Sequence, residues 1–348
     1  MNRDKIIVIG AINEGRAATC GETAKNQIFI SRFRELFSTV ITVDTLNWKR
    51  RPWVLVKILI VLLFNRGAKV IISASKAASY LIAFLHYVPL KKSVYFWAIG
   101  GDLHIAVSKG IFKIGHLKSL RYILVEGENM KRELNKYGLD NVKVVPNAKP
   151  IIYTPEITKK GDSDTFRFVF LSRVHPHKGI KEIYEATKIL NAKGYGERFI
   201  VDIYGKIEES FTTTFNSYID ELPNLSYKGF LNLTQQDGYK TLASYDIMLF
   251  PTYWGGEGFP GVVIDANMAG LPIVATDWNM NREVIKDGIT GYLIHPHDSD
   301  TLASSMERFI LRDIDLNTMK RACVEHVKNY DYRNVVSKEL VCNIGLME

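Results

Sequence analysis

The sequence has few cysteines, and this shortage excludes two classes of protein. Its 348 residues contain three, Cys20, Cys323 and Cys342. They are too few and too scattered for a disulfide framework or for a metal site built on paired cysteines. The opening residues, MNRDKIIVIGA, also lack the pattern of a secretory signal peptide. We therefore expect a protein of the reducing cytoplasm.

Long apolar runs are scarce as well. The run over residues 53–64 has twelve residues, broken only by Lys57, whereas a helix that spans a bilayer needs about twenty. The run is flanked by tryptophan and basic residues: Trp48, Lys49, Arg50, Arg51 and Trp53. Two interpretations remain open, a helix lying in the headgroup region of a membrane and a core helix with a basic cap.

Acidic residues are scarce in the first half of the chain. Residues 51–100 contain seven basic residues and no acidic one. Residues 1–150 carry 24 Lys and Arg against 10 Asp and Glu, a net charge of +14, whereas residues 151–348 carry 21 against 27, a net charge of −6. This asymmetry favours an anionic surface or substrate for the first half. A basic nucleic-acid-binding module is the non-enzymatic alternative, but no known motif of that class appears.

Short apolar runs alternate with helix-like segments along both halves. The predicted strands are 5–11, 68–75, 92–101, 121–127 and 141–147, followed by 166–173, 198–205, 225–230, 246–252 and 272–277. This order predicts an α/β protein with two doubly wound parallel sheets, whose ligands bind at the carboxyl ends of the strands. The polar segment 154–165 reads as a linker. We predict one domain over 1–153 and another over 154–330, with a C-terminal helix at about 331–348 packing on the first.

Two carboxylates bracket a Gly-Pro-Gly turn in the stretch GGEGFPGVVIDANMAGLP. Glu257 and Asp265 lie eight positions apart, and a helix begins near Pro260 or Gly261. A helix N-terminus that follows a strand favours a phosphate, and carboxylates beside it would accept hydrogen bonds from sugar hydroxyls. The structural alternative is a loop acid followed by a solvated helix residue.

A second stretch, LSRVHPHKG, places Arg173 and Lys178 at the end of another predicted strand. Arginine offers a planar fork to phosphate oxygens and lysine a compact charge. Alone, an arginine and a lysine at a strand end are more often solvated side chains at the edge of a sheet. Together with the two carboxylates, it predicts a site for a diphosphate with a sugar on one side and a ribose on the other.

These motifs resemble the retaining family-4 glycosyltransferases, which have the GT-B fold of two Rossmann-like domains facing across a cleft. The resemblance covers nearly the whole chain, including SRVHPHKG, YKGFL, EGFPGVVIDANMAGLP and NREVIKDGITGYLIHPHD in the second half. GETAKNQIFISRFREL, VEGENMKREL and VPNAKP match in the first half. The family's pair of glutamates appears here with Asp265 as its second, shorter acid.

The resemblance implies a nucleotide-sugar site in the second domain. Glu257 would contact the hydroxyls of the donor sugar, Asp265 the ribose, and Arg173 with Lys178 the diphosphate. The residues implied in donor binding are Gly21, Arg173, Lys178, Glu257, Gly258, Phe259, Pro260, Gly261 and Asp265. The residues implied in catalysis are Arg173, Lys178, Glu257 and Asp102. No metal or other cofactor is then required.

The first domain is expected to bind the acceptor. After its first strand, Glu22 and Thr23 open a helix in a glycine-containing loop. Family members often carry a histidine at a strand end near the reacting carbon, but the matching segment here reads FWAIGGDLH. Asp102 takes the place of the polar group, with His104 two residues later. Both remain open to the alternative that they are loop residues.

The resemblance further implies transfer of a hexose or N-acetylhexosamine from a UDP-linked donor to a lipid-linked saccharide, in capsule or O-antigen assembly. The partners would be the nucleotide sugar, the acceptor and an anionic membrane surface at the inner face of the cell membrane, without nucleic acid. A sugar-nucleotide 2-epimerase of the same architecture is the enzymatic alternative.

Two D-x-D triplets, Asp162–Asp164 and Asp298–Asp300, have the spacing of metal-binding aspartates in other glycosyltransferases. The first lies in the predicted linker, and the second is predicted to begin a helix as its N-cap.

Overall fold

The computed structural model describes residues 5–18, 20–87, 93–157 and 165–347, and the chain divides into two compact units. The first unit runs to Pro150 and also includes the segment from Tyr330 onward. The second unit is Ile151–Asn329. The predicted linker therefore lies at the start of the second unit, and most of it falls outside the described residues.

Over the described residues of the first unit, the strands form one parallel sheet. They are β1 Lys5–Gly10, β2 Thr39–Asp44, β3 Lys69–Ala74, β4 Val94–Ala98, β5 Tyr122–Val125 and β6 Val142–Val144. The order in the sheet is β2-β1-β3-β4-β5-β6. The chain thus places β2 on one side of β1 and β3 on the other. The crevice at the carboxyl ends of such a pair is where doubly wound sheets bind ligands.

The helices of the first unit cover both faces of this sheet. They are α1 Gly21–Leu36, α2 Trp53–Phe64, α3 Ala78–Tyr87, α4 Leu103–Ser108, α5 Ile114–Lys118 and α6 Glu128–Asn135, with a 3₁₀ turn at Trp48–Arg50. Helix α1 packs the ring of Phe29 on Trp97 of β4, with ring centroids 4.3 Å apart. Such stacked aromatic rings fix the position of α1 over the strand ends.

Helix α2 buries only one of its faces. Val54, Ile58 and Leu62, spaced four residues apart, are buried. Trp53 is 60% exposed and Phe64 is 83% exposed. A core helix would bury its apolar side chains on every side. The core-helix interpretation therefore accounts for one face of α2 and does not explain the exposed apolar side chains on the other.

The second unit repeats the architecture within its described residues. Its strands are β7 Phe166–Leu171, β8 Phe199–Tyr204, β9 Leu225–Gly229, β10 Ile247–Phe250, β11 Ile273–Thr276 and β12 Gly291–Ile294. They form a parallel sheet in the order β12-β11-β10-β7-β8-β9, which reverses between β7 and β10. The helices are α7 Ile180–Ala192, α8 Thr212–Glu221, α9 Gln236–Ala243, α10 Gly261–Met268, α11 Asn281–Val284, α12 Ser299–Ile310 and α13 Leu316–His326. Further 3₁₀ turns lie at Pro176–Lys178, Gly196–Arg198, Glu209–Phe211 and Val327–Tyr330.

The last segment of the chain belongs to the core of the first unit. It forms two short helices, α14 Tyr332–Val335 and α15 Lys338–Asn343, where one helix was predicted. Asp331 and Ser337 each accept a hydrogen bond from a backbone N–H at the start of the following helix, so each begins a helix of its own. The Tyr95 hydroxyl of β4 donates to the carbonyl of Ile344 over 3.0 Å.

The predicted α/β class with two doubly wound parallel sheets is confirmed. Two strands escaped the sequence pattern. Edge strand β2, TVITVD, mixes polar and apolar residues and buries one side chain fully, and β12 is a four-residue edge strand with two half-buried side chains. Across the described ranges, no helix combines the length and the apolar content needed to cross a bilayer.

Candidate active site in the second unit

The loops that follow β7 and β10 are packed together where the second sheet reverses. Gly179 has a φ of +80°, and a Cβ there would lie 2.2 Å from the carbonyl oxygen of Pro251. Only glycine fits such a contact in that conformation. The hydroxyl of Tyr253 also donates to the carbonyl of Pro176 over 2.9 Å. The loop after β7 therefore lies directly on the loop after β10.

This packing brings Lys178 and Glu257 into contact. The Lys178 ammonium donates to Glu257 Oε2, and the pair is a salt bridge. Lys178 is 4% exposed, and the Glu257 side chain is 14% exposed. The hydroxyl of Thr252 donates to the same carboxylate oxygen over 3.1 Å. The residue predicted to hold the diphosphate and the residue predicted to hold the donor sugar thus form one charged, largely desolvated pair.

Arg173 lies on the exposed side of the same loops. Its guanidinium carbon is 5.3 Å from the centre of the Trp254 ring, a cation–π contact. The imidazole of His175 also contacts Trp254, with ring centroids 4.9 Å apart. Burial lowers the pKa of His175, and the neighbouring His177 lowers it further. Trp254 therefore supports a group of basic side chains above the strand ends.

Two side chains that follow β11 hold the loop that carries Glu257 by hydrogen bonds to its backbone. The indole N–H of Trp278 donates to the carbonyl of Trp254 over 2.9 Å. The amide of Asn279 donates to the carbonyl of Glu257 over 3.1 Å. These residues and Thr252 were missed in the sequence, although they follow predicted strands. Aromatic and amide side chains at successive strand ends were the signal that could have found them.

Helix α10 begins at Gly261, beside this loop, as predicted. Pro260 is its N-cap residue in an extended conformation, and Phe259 is buried. Gly258 is half-buried between Glu257 and Phe259. The N–H groups at the start of α10 therefore lie within four residues of Glu257, an arrangement that suits an anionic oxygen.

Asp265 lies in the second turn of α10 and is 4% exposed. The Tyr239 hydroxyl of α9 donates to Asp265 Oδ1 over 2.7 Å. Burial raises the pKa of the Tyr239 hydroxyl, and the charge of Asp265 raises it further. The carboxylate is thus oriented by a buried tyrosine. Its contact with a ribose stays a prediction.

The predicted acceptor residues lie at strand ends of the first unit. Glu22 stands in the first turn of α1, after Gly21, and Ser75 beyond β3 supplies hydrogen bonds to it. Burial raises the pKa of Glu22, although these hydrogen bonds oppose the rise. Thr23 is fully buried, and its hydroxyl donates to the carbonyl of Cys20 over 2.9 Å, which is the geometry of a helix start.

Asp102 and His104 also stay close to this edge of the first sheet. Asp102 Oδ2 lies 2.6 Å from the ammonium of Lys76, at the start of α3. The ring Nδ1 of His104 is buried and, within the described residues, has no hydrogen-bond partner. Lys25 and Glu126 form a buried salt bridge of 2.6 Å between α1 and the end of β5. The structure thus pairs Asp102 with a cation that the sequence had not singled out.

The D-x-D triplets have different outcomes. Asp162 and Asp164 lie outside the described residues. Asp298 Oδ1 accepts the N–H of Thr301 over 2.8 Å at the start of α12, which confirms the helix-cap interpretation. Within the part of the chain that the structure describes, no three His, Cys, Asp or Glu residues gather as a metal site would require.

Comparison with known proteins identifies the family. Residues 155–326 match the model described as "Glycosyl transferases group 1". The phosphatidyl-myo-inositol mannosyltransferase of Mycobacterium leprae is 34% identical over 247 residues, which are 68% of this chain and 62% of that protein. The UDP-Gal:alpha-D-GlcNAc-diphosphoundecaprenol alpha-1,3-galactosyltransferase of Escherichia coli is 24% identical over 220 residues, 60% of this chain and 56% of that protein. The chain thus spans less than two thirds of the length of these curated relatives.

A solved structure shows that the likeness of fold extends over both units. A glycosyltransferase from Rickettsia africae superposes with a TM-score of 0.75 over 99% of each chain, at 16% sequence identity. Residues 155–326 match the group 1 glycosyltransferases, which confirms for this part of the chain the family inferred from the sequence motifs. Its fold is GT-B, with one Rossmann-like sheet in each unit.

Proposed function

We propose that this protein transfers a hexose or N-acetylhexosamine from a UDP-sugar to a lipid-linked saccharide, with retention at the anomeric carbon. One observation carries the proposal. The buried Lys178–Glu257 pair, with Arg173 beside it, stands at the reversal point of the second sheet and next to the N-terminus of α10. Cations and helix N–H groups suit a diphosphate there, and the carboxylate suits sugar hydroxyls. The second unit is accordingly the donor domain.

The reaction would use these charges at the leaving group. The bond between the anomeric carbon and the diphosphate oxygen breaks, and the acceptor hydroxyl forms the new glycosidic bond. The departing phosphate takes the proton of that hydroxyl. Negative charge grows on the diphosphate in the transition state, so Lys178 and Arg173 stabilise that state more than the bound substrate. Side chains and N–H groups provide this charge in the proposed mechanism, and no metal is assigned to it.

The acceptor proposal is supported by the first unit. Its sequence to residue 150 carries a net charge of +14, and α2 exposes large apolar side chains beside basic ones. The name of one relative specifies a diphosphoundecaprenol acceptor, and that of another a phosphatidyl-myo-inositol. A lipid-linked acceptor at the inner face of a cell membrane agrees with these properties, and the product would enter capsule or O-antigen assembly. We assign acceptor contacts to Glu22, Asp102 and His104, and we leave out Thr23 because its side chain is fully buried and its hydroxyl donates to the carbonyl of Cys20.

Nucleotide binding gives the first test. Thermal shifts are measured with UDP, GDP and ADP, and we expect UDP to stabilise the protein most. Mass spectrometry then follows transfer from a set of UDP-sugars to a lipid-diphosphate-linked saccharide, and NMR of the product reads the anomeric configuration. Inversion contradicts the proposed stereochemistry. Formation of an epimeric nucleotide sugar without any acceptor contradicts transfer and favours the 2-epimerase.

A further inference from the structure

An apolar groove opens between α2 and α3 in the first unit. It encloses about 350 Å³, within the range of about 300–1,000 Å³ that is usual for small-molecule sites. Thr45 and Tyr80 carry hydroxyls and Trp48 an indole N–H, and the other lining residues are aliphatic, phenylalanine or glycine. The residues that define its walls and floor are Leu55, Leu59, Leu81, Phe84, Gly10 and Ala74. Such a lining favours a hydrocarbon, because it has few hydrogen-bonding groups for a sugar.

The position of the groove links it to a ligand site. Gly10 ends β1 and Ala74 ends β3, the two strands between which the order of the first sheet reverses. Ligands of doubly wound sheets bind at this crevice. Ser75 and Lys76 follow Ala74 and contact Glu22 and Asp102, so the groove adjoins the edge where those two acids lie.

Basic side chains adjoin the groove. The rings of Trp48 and Tyr80, both in the lining, are 6.3 Å apart and join the 3₁₀ turn to α3. Lys49 and Arg50 follow Trp48 and are exposed, and Lys76, whose ammonium is paired with Asp102, precedes the lining residue Ala77. Apolar walls with cations at their end complement a molecule that has a hydrocarbon chain and an anionic head.

We propose that this groove binds the proximal hydrocarbon chain of a lipid phosphate or diphosphate that carries the acceptor saccharide. The inference rests on the proposed function and names how the acceptor is held. The groove takes a segment of the chain next to the phosphate, and the saccharide extends along the strand ends toward Glu22 and Asp102. Membrane contact through the exposed face of α2 would then place the protein where such a lipid resides.

The test uses soluble probes and no vesicles. Calorimetry compares farnesyl diphosphate with isopentenyl diphosphate, which shares the head group but has one isoprene unit, in saturating UDP to occupy the donor site. Each buried CH₂ group contributes about four-fold in affinity. We expect farnesyl diphosphate to bind at least about thirty-fold more tightly. Equal affinities for the two probes would overturn the proposal.

A matched pair of variants on α2 locates the binding. Leu55 is 49% exposed and lines the groove, whereas Leu63 is 47% exposed and lies outside the lining. Leu55→Gln should weaken farnesyl diphosphate about five- to tenfold, because half of a leucine's burial is lost. Leu63→Gln should bind like the wild type. Equal weakening in both variants assigns the effect to the helix surface and contradicts a groove site.

The outcome separates this inference from the proposed function. UDP binding by both variants should equal that of the wild type, because neither Leu55 nor Leu63 is among the residues implied in donor binding. If farnesyl diphosphate binds no more tightly than isopentenyl diphosphate while UDP binding and transfer are intact, the groove proposal is refuted and the proposed function is not. If UDP binding and transfer are absent but farnesyl diphosphate still binds more tightly than isopentenyl diphosphate, the proposed function is refuted and the lipid-phosphate site is retained.

Discussion

Replacing Lys178 by Ala should damage both the stability and the turnover of the protein. The sequence alone left open that Lys178 is a solvated residue at a strand end. In the structure Lys178 is 4% exposed and pairs with Glu257. Its removal would leave the Glu257 carboxylate with the hydrogen bond from the hydroxyl of Thr252, at 3.1 Å. An incompletely compensated, largely buried charge is destabilising.

The two effects have different magnitudes. Removing one partner of a buried pair costs about 3–5 kcal/mol, and the 14% exposure of the Glu257 side chain places this case at the lower end, at about 3 kcal/mol. For a unit of this size, that free energy lowers Tm by about 6–12 °C. Loss of one oriented electrostatic contact in the transition state lowers kcat by about 10²–10³-fold.

Comparison of variants separates stability from catalysis. Lys178→Met with Glu257→Gln removes both charges and should regain most of the lost Tm, but not the turnover. Arg173→Ala should lower turnover by about 10²–10³-fold with a small change in Tm, because Arg173 is exposed. Lys193→Ala is the control, since it breaks an exposed Lys–Glu pair outside the site and should leave turnover unchanged.

The measurements are thermal unfolding, UDP affinity and initial rates at saturating donor. Wild-type turnover in Lys178→Ala would refute the diphosphate role. Wild-type Tm in the same variant would refute the energetic account of the buried pair. Full recovery of turnover in the doubly neutral variant would show that the lysine does no more than compensate the charge of Glu257.

Four further predictions follow from the same structure. Transfer should persist in excess EDTA, and a loss restored by Mn²⁺ or Mg²⁺ would contradict the proposed mechanism. Replacing the basic residues 49–51 by Gln should weaken co-sedimentation with anionic vesicles, at about 1 kcal/mol per residue before screening, and leave UDP affinity unchanged; equal binding of anionic and neutral vesicles would refute electrostatic docking. Tyr239→Phe should cost about 1–3 kcal/mol in urea unfolding and weaken UDP binding, because Asp265 loses a buried donor. The raised pKa of Glu22 should place an acid limb of the pH–rate profile above pH 4.5, and Glu22→Gln should remove that limb.

The arrangement of the candidate site could be predicted from strand ends. Parallel strands direct their carboxyl ends to one edge, so the loops with Arg173, Lys178 and Glu257 had to lie near one another if their strands were neighbours. The reversal of the sheet between β7 and β10 makes those strands neighbours. The strands β2 and β12 were missed because most or half of their side chains are only half-buried, so neither forms a run of fully buried apolar residues.

The pairing of side chains could not be predicted in this way. Asp265 contacts Tyr239, which is 26 residues away and on another helix. Nothing in the spacing of the two glycosyltransferase acids specifies that partner, since it depends on how α9 packs beside α10. The exposed face of α2 is a similar case. An apolar sequence indicates a helix that avoids water, but only the neighbouring elements decide which of its faces they cover.

The course of the chain through the first unit has a consequence for its synthesis. That unit encloses side chains from both before Pro150 and after Tyr330, and the amide of Lys149 donates to the carbonyl of Tyr330 over 3.0 Å where the two segments meet. Val336 and Ile344 belong to the same core as Phe33 and Trp97. Because the ribosome delivers these late residues after Ile151–Asn329, the unit translated second can complete its core first. Part of the apolar core of the nascent first unit therefore stays exposed to solvent until the residues after Tyr330 have been synthesised.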